Sequence, residues 1–364
     1  MKYFHFIPAA CIFLFCQCGG QDSHFLSDTK YIPVFSEDSC QYIDHGDNLH
    51  FTGAYSDASL FYDNMALICN QSDKKWGYID DSGELQYPAV YTRATIFNEN
   101  RAWVVRPDEA PCAIDTKGRL QLTLTRASKV MIFCEGMAAF AQKEKKGERW
   151  GFIDKSGTPV IKPLYKDVKP FSSGLAAVKN EQNLWGYIDS KGIEQIPAQF
   201  SSAESFSKER HAVVRSDKSG LFQVIDTKGD TLWTIECDAL ISDGNTFRIK
   251  KDKKWGWCDN KGNIFIEPRF EDSESFGNPD LAPVKIRGKW GYINRKGEWK
   301  IKRQFSKAFP FFDGLAVVQT GLIDPDGHFQ INPQYDRISE DYIHQSIRKG
   351  SAFTLVESDH ARYK

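Results

Sequence analysis

Nine acidic or amide residues recur at nearly regular intervals and are the first candidates for chemistry. They stand at positions 44, 80, 115, 154, 189, 226, 259, 294 and 324, and all are aspartate except Asn294. Paired carboxylates could cleave a glycosidic bond. However, every one but the first is followed three positions later by a glycine, as in Asp189-Ser190-Lys191-Gly192. This spacing is typical of a tight turn, so we predict that the series caps turns.

No motif in the chain indicates an established catalytic class. The sequence has no Gly-x-Ser-x-Gly elbow, no glycine-rich phosphate loop and no His-Glu-x-x-His helix. The histidines are scattered, and the cysteines after Cys18 form no Cys-x-x-Cys pair. We therefore expect no metal, no cofactor and no enzymatic activity.

Lysines cluster in the turns that precede several tryptophans. Lys75, Lys146, Lys254 and Lys289 represent this group. If the chain repeats regularly, these turns lie on one rim and gather positive charge there, which would suit an anionic polysaccharide, phospholipid headgroups or an acidic protein. The alternative is that they are solvated hairpin tips that protect strand edges from aggregation.

The overall composition limits the choice of partner. The 364 residues carry 47 basic and 48 acidic side chains, so no global field attracts nucleic acid or an acidic surface. Any electrostatic partner must be recognised by a local patch. The content of aromatic residues, 13%, together with 27 glycines, favours β-structure with many tight turns.

The N-terminus is typical of an export signal. Lys2 precedes a mostly apolar run at positions 4–15, which is too short to span a bilayer and leads into Cys16-Gln17-Cys18-Gly19-Gly20. This pattern resembles a bacterial lipoprotein signal, which implies cleavage before Cys18 and lipidation of its sulfur. The alternatives are an ordinary signal peptidase site or an uncleaved anchor. We accordingly expect a signal at 1–17 and a polar tether at 18–30.

The strongest signal is an internal repeat with a period near 35 residues. The first two positions of the pentapeptide Trp-Gly-Tyr-Ile-Asp recur unchanged in five clear copies, Trp76-Gly77, Trp150-Gly151, Trp185-Gly186, Trp255-Gly256 and Trp290-Gly291. Weaker copies end at Asp44, Asp115, Asp226 and Asp324, which gives about nine units. A fixed period of this length indicates a repeat architecture.

The repeat resembles the WG-repeat family, also called KWG repeats, of bacterial envelope proteins. The resemblance covers roughly residues 31–359 and leaves a short tail at 360–364. It implies a β-rich repeat module without a known common chemistry.

Each unit is predicted to be an antiparallel meander. In the best copy, strands are expected at 174–179, at 185–189, at 193–196 before Pro197, and more weakly at 200–206. Alternation places Trp185 and Tyr187 on one face and Gly186 on the other. We expect the aromatic residues of one unit to fill the space over the glycine of the next.

Four-stranded units of this size predict an all-β, β-propeller-like fold. The apolar segment 352–356 could supply an extra strand that completes the first unit and closes a ring, although residues 31–35 could already serve as the first strand. The alternative is an open, twisted array of β-hairpins.

Together these patterns predict an exported, non-catalytic binding or scaffold protein, tethered to a membrane of the bacterial cell envelope. Its expected partner is an envelope protein or an anionic polysaccharide, and not nucleic acid. The alternative is an envelope glycan hydrolase whose catalytic carboxylates are unique to one or two units.

Overall fold

The computed structural model describes residues 30–37, 39–145, 147–339 and 342, together with the strand Val356–Glu357. These residues form antiparallel β-strands joined by turns. Within this part of the chain, no helix has the length and hydrophobicity needed to cross a bilayer. The predicted signal, Cys18 and the tail 360–364 lie outside the described residues.

Nine units follow one another, and each contains up to four repeat strands that we name inner, second, third and outer. The second and third strands are almost wholly buried, as in Leu175–Lys179 and Trp185–Asp189. The outer strand is exposed at most positions. A sheet whose middle strands are covered on both faces must be packed between two other sheets, which is the arrangement of propeller blades.

The first four units are separate sheets, each with its strands in the order inner, second, third and outer. Unit 1 contains Arg337–Ile338, Ile32–Ser36, Ser39–Ile43 and Leu49–Gly53. Unit 2 contains Tyr55–Tyr62, Met65–Asn70, Trp76–Ile79 and Leu85–Tyr91. Unit 3 contains Arg93–Ala94, Ala102–Val105, Cys112–Ile114 and Leu120–Thr123. Unit 4 contains Lys129–Val130, Met137–Glu144, Gly147–Asp154 and Pro159–Tyr165.

Units 5 and 6 share the long strand Glu194–Ala203, whose start is outer in unit 5 and whose end is inner in unit 6. Unit 5 begins with Asp167–Val168, Leu175–Lys179 and Trp185–Asp189, and unit 6 continues with His211–Ser216, Phe222–Asp226 and Thr231–Ile235. Unit 7 contains Ala239–Asp243, Thr246–Lys251, Lys254–Asp259 and Ile264–Phe270. Unit 8 contains Asp272–Ser273, Ala282–Ile286, Lys289–Ile293 and Trp299–Phe305. Unit 9 contains Ala316–Val318, Gly321–Ile323 and Phe329–Ile331, with an inner bridge from Ala308 to Val318.

The shared strand corrects two sequence-based expectations. Pro197 does not end the third predicted strand, because it lies in an outer strand, where a missing N–H group deprives no neighbour of a hydrogen bond. The weak fourth segment is the inner strand of the following unit, since Ala203 pairs with Val214.

The glycine after each tryptophan is required by a bulge in its own unit. Trp185 pairs with Phe200 and Tyr187 with Ile196, so the outer strand carries three residues opposite Gly186 where the third strand has one. A Cβ atom on Gly186 would lie 2.6 Å from the carbonyl oxygen of Ile196 and 2.7 Å from the nitrogen of Ala198. The expectation that a neighbouring unit's aromatic residue fills this space is therefore wrong. Gly77, Gly151, Gly256 and Gly291 show the same close approach of backbone.

The ring is closed by a strand from the C-terminal side of the chain. Val34 pairs with Ile338 and Phe35 with Arg337 in unit 1. Arg337 donates to the Ser56 carbonyl at 2.8 Å, and its guanidinium lies 3.7 Å from the centre of the Phe35 ring. A continuous apolar core joins units 9, 1, 2 and 3. The alternative of an open array is thus excluded.

Units 9 and 1, where the ring closes, meet through the same kind of contact as consecutive units. The glycine three residues after each turn aspartate packs against the preceding unit's outer strand, as Gly192 does against Ile161. Unit 1 has Asp47 at this position with a φ of 64°. Its carboxylate accepts hydrogen bonds of 2.7 Å from Gln334 Nε2 and from the Tyr335 hydroxyl. Burial and the Asp47 charge raise the pKa of Tyr335 to about 12.

The closing segment is not the one predicted from sequence. Residues 337–338 complete unit 1, whereas 352–355 lie outside the described residues and Val356–Glu357 pairs with Lys129–Val130 in unit 4. Ile32–Ser36 is the second strand of unit 1, not its first. The sequence pattern failed at this seam because a two-residue inner strand carries no detectable alternation.

We predict that Gly186→Ala lowers the free energy of unfolding by about 2 to 3 kcal/mol, because the new methyl group must displace backbone atoms of the bulge. Gly136→Ala is a useful control, since a Cβ atom on Gly136 would meet no atom within 4 Å and only its φ of 77° opposes alanine. Its expected cost is about 1 to 2 kcal/mol. Chemical denaturation measures both, and a smaller loss for Gly186→Ala than for Gly136→Ala would contradict the bulge argument.

Candidate functional site

The turn aspartates cap their hairpins. Asp189 Oδ1 accepts hydrogen bonds from the N–H groups of Ile193 at 3.0 Å and Lys191 at 2.9 Å, and Oδ2 accepts one from Gln195 at 2.9 Å. These bonds, with Ile193 contributing most, hold the pKa of Asp189 below its usual value. Because one such residue serves each turn, the series is structural, as its spacing predicted.

The third residue of the repeat joins consecutive units. The Tyr187 hydroxyl donates to the Glu204 carbonyl of unit 6 at 2.7 Å, and its ring lies 4.8 Å from the Phe206 ring. Tyr42, Tyr78 and Tyr292 make the same bond to a carbonyl 17 residues later. The tyrosine is more deeply buried than the tryptophan in this unit, with 0% against 6% exposure. The tyrosine is therefore the main aromatic link between neighbouring units.

A tryptophan on another strand replaces this tyrosine in unit 3. Ala113 occupies the tyrosine position, and its cross-strand neighbour is Trp103. The Trp103 indole donates to the Met131 carbonyl of unit 4 at 2.9 Å and stacks on Phe133 with ring centres 5.6 Å apart. The joint is thus conserved in geometry although the residue that forms it has moved.

The repeat tryptophans lie beside lysines on the second strand. Lys179 pairs across the sheet with Trp185, and its ammonium lies 5.8 Å from the ring centre. Lys250 and Lys285 stand likewise 5.2 Å from Trp255 and 6.0 Å from Trp290. These distances allow cation–π attraction. Trp150 is buried and Trp76 is half-buried.

Three of the four predicted lysines, Lys75, Lys254 and Lys289, lie on one rim. We call this the tryptophan rim: the turns between second and third strands, such as residues 180–184. Lys254 and Lys289 begin third strands and are exposed, and Lys75 directly precedes one and is half-buried. Lys146 lies outside the described residues. The turns between third and outer strands form the opposite rim, the aspartate rim, because antiparallel strands reverse direction at each turn.

Positive charge on the tryptophan rim concentrates in units 7 and 8. Residues 251–254 and 287–289 present the exposed cations Lys251, Lys253, Lys254, Arg287 and Lys289. The exposed acids here are Asp252 within the turns and Asp238 and Glu271 against them, so cations outnumber carboxylates by five to three. The neighbouring Glu271 accepts hydrogen bonds from the N–H groups of Gly288 at 3.1 Å and Arg287 at 2.9 Å. These bonds lower the pKa of Glu271 and hold its carboxylate against the turn.

Two ion pairs join neighbouring units, each between a buried cation and a half-buried glutamate. Lys169 pairs with Glu204, and Arg248 pairs with Glu274 at 3.2 Å. Burial raises the pKa of both glutamates, and the cations oppose that shift. Sequence reasoning missed these pairs, although Lys169 stands where unit 4 has Met131, so a charge at an apolar repeat position was the available signal.

Carboxylates in the turns between inner and second strands also form hydrogen bonds between units. Glu99 accepts a hydrogen bond from the Gly136 N–H group at 3.0 Å, and Glu135 accepts one from Gly174 at 2.9 Å. Burial raises the pKa of Glu135, and Glu99 adds to that shift. The described residues contain no group of three or more histidine, cysteine or acidic side chains placed to hold a metal ion.

One histidine replaces an apolar residue in the joint between units 6 and 7. His211 occupies the position of Leu175 and Met137, opposite the turn aspartate. It is buried, its ring centre lies 4.9 Å from that of Phe247, and Nε2 lies 3.2 Å from Ser242 Oγ. Burial lowers the pKa of His211.

Because its folded pKa is lowered, the neutral form of His211 stabilises the fold fully above about pH 6.5, the unperturbed value. We predict that the free energy of unfolding falls as the pH drops below that value, because the His211 side chain binds a proton more readily in the unfolded chain than in the folded one. Denaturation of the parent and of His211→Leu between about pH 7 and about pH 5, across the titration range of histidine, measures this. The variant should show a flatter profile, and parallel profiles would contradict the assignment.

Comparison with known proteins agrees with the repeat. Five segments match the family described as WG containing repeat, at residues 76–106, 150–183, 185–218, 255–290 and 290–320. No curated protein matches the chain.

Several solved structures are similar in fold. BamB from Moraxella catarrhalis has 11% identity and a TM-score of 0.43, over 76% of this chain and 92% of that chain. Apo AztD from Citrobacter koseri has 11% identity and a TM-score of 0.43, over 75% and 92%. The computationally designed Ika8 protein has 12% identity and a TM-score of 0.40, over 84% and 96%. At these values the likeness carries no functional argument, and the propeller assignment rests on the strand order.

The nine repeat units and the contacts between them include most of the described residues. Matches in five units, with the turn aspartate or asparagine recurring in all nine, show that the chain contains WG repeats.

Proposed function

We propose that the protein is a non-catalytic binding or scaffold protein, tethered to a membrane of the bacterial cell envelope, that binds an anionic polysaccharide. The observation that carries this proposal is the basic patch of the tryptophan rim, formed by Lys251, Lys253, Lys254, Arg287 and Lys289. Five exposed cations in two neighbouring turns favour a polyanion, whose repeated charges can contact several of them at once.

The use of the repeated residues supports a binding role over a catalytic one. The aspartates cap turns, the glycines admit a bulge and the tyrosines join units. What differs between units is the exposed part of the turns, and a repeat scaffold presents such differences over a broad surface. The membrane tether rests on the N-terminal sequence pattern that ends at Cys18.

A matched pair of triple variants tests the proposal. Lys251→Gln/Lys254→Gln/Lys289→Gln removes three charges from the basic patch. Lys117→Gln/Lys191→Gln/Lys228→Gln removes three from exposed turns of the aspartate rim. Each exposed site should change stability by no more than about 0.5 kcal/mol, so both variants should fold.

We expect the parent and the aspartate-rim variant to bind polygalacturonate at low salt, and the tryptophan-rim variant to bind at least about fivefold more weakly, about 1 kcal/mol. The difference should shrink with added salt, which screens charges beyond roughly 8 to 10 Å near physiological ionic strength. Equal binding by the two variants would overturn the proposed surface. Release of new reducing ends from the polysaccharide would instead support a glycan hydrolase.

A further inference from the structure

The outer strands carry a belt of exposed apolar residues around the ring. Each unit places one near the start of its outer strand: Leu49, Leu85, Leu120, Val160, Ile193, Leu232, Ile264, Trp299 and Phe329. In units 7 to 9 the belt becomes aromatic, through Phe265, Trp299 and Phe329. Trp299 is 39% exposed, whereas the other eight tryptophans are buried or half-buried.

Trp299 lines an open groove together with two cations. The groove has a volume of about 450 Å³, and its lining includes Trp299, Lys302 and Arg303. Both cations are exposed, and neither forms an ion pair within the described part of the chain. By contrast, the adjacent Lys300 is paired with Asp326 of unit 9 at 2.9 Å.

The cations sit on a backbone bulge whose position is fixed. Trp290 pairs with Phe305 and Tyr292 with Ile301, so residues 302–304 lie opposite Gly291. A Cβ atom on Gly291 would lie only 2.6 Å from the Arg303 nitrogen, so the backbone of the bulge packs directly against Gly291. Bulges of this kind redirect side chains, and this one places Lys302 and Arg303 beside the indole.

No other unit combines these features. Units 4, 7 and 9 carry Pro163, Pro268 and Pro333 where unit 8 has Arg303, and unit 7 has Glu267 where unit 8 has Lys302. Unit 4 shares the lysine, as Lys162, and unit 9 shares an exposed aromatic residue, as Phe329. The three residues of unit 8 therefore depart from the repeat as a combination. They coincide at one groove in the unit that also contributes to the basic patch.

We propose that this groove binds an acidic glycan, with one sugar ring stacked on Trp299 and a uronate carboxylate bound by Lys302 and Arg303. A flat exposed indole offers an apolar surface to the C–H face of a pyranose ring. A guanidinium suits a carboxylate, because it can donate two parallel hydrogen bonds. This site deepens the proposed function and rests on it, since both concern an anionic polysaccharide, but it uses a different set of residues.

The test measures binding of hexagalacturonate and of the neutral cellohexaose to the full chain by calorimetry. The variants are Trp299→Ala and Lys302→Gln/Arg303→Gln. The controls are Phe329→Ala, which removes a neighbouring belt aromatic, and Lys117→Gln/Lys191→Gln, which removes two distant charges. All six positions that change are exposed, and thermal melts verify folding.

We expect Trp299→Ala to weaken hexagalacturonate binding at least about tenfold, about 1.4 kcal/mol, and the double cation variant to lose the preference for the acidic over the neutral oligomer. The controls should stay within about twofold of the parent, about 0.4 kcal/mol. Unchanged binding by Trp299→Ala would overturn the inference. The same variant should bind polyglutamate as the parent does. If Trp299→Ala weakened polyglutamate binding as much as hexagalacturonate binding, the inference would be overturned, because the groove would then recognise carboxylates on a peptide.

The outcomes separate this inference from the proposed function. If the tryptophan-rim triple variant loses polygalacturonate binding while Trp299→Ala keeps hexagalacturonate binding, the proposed function is supported and the glycan site in the groove is contradicted. If the parent binds neither the polymer nor the oligomer, both fall.

Discussion

The architecture depends on one joint that recurs in six of the nine units, in which an aromatic side chain of a third strand packs against a phenylalanine in, or shortly after, the inner strand of the next unit. Where the residue is tyrosine, its hydroxyl bonds to a carbonyl, and its ring packs on a phenylalanine, as Tyr187 does with Glu204 and Phe206. Neither partner is buried within a single unit, so a unit alone would expose both. This is the physical reason why stability requires neighbours on both sides, and why a ring, which leaves no terminal unit, suits this sequence.

The repeat pattern allowed much of this structure to be predicted, since residues shared by all units report on turns and on buried faces. The aspartates and their glycines identified the hairpins, and alternation placed Tyr187 and Trp185 on the same face of their strand. Features that no pattern shows were missed. Arg337 and Ile338 close the ring through two residues, which is too short for alternation, and the bulge opposite Gly186 is a relation between strands. Trp103 was missed because the joint of unit 3 uses another strand.

The candidate sites follow the opposite rule, because they consist of departures from the repeat. The cations before Trp255 and Trp290 were visible in sequence, but only the fold shows that units 7 and 8 place them side by side. Trp299 was harder to recognise, since an exposed tryptophan cannot be told from a buried one by its spacing. The signal was present nonetheless: Arg303 stands where three sister units have proline. Residues shared between the units form the ring, and residues that differ between units form the candidate binding surfaces.

Closure of the ring is the central claim, and the distance between units 1 and 9 tests it most directly. Spin labels on a non-canonical amino acid at Leu49 and Phe329 would occupy equivalent, exposed positions on the outer strands of these two units. A second pair at Leu85 and Leu120 occupies the same positions in units 2 and 3. Pulsed electron paramagnetic resonance should give closely similar distance distributions for both pairs. A clearly longer or much broader distribution for Leu49 and Phe329 would show that units 1 and 9 are not neighbours and would contradict the closed ring.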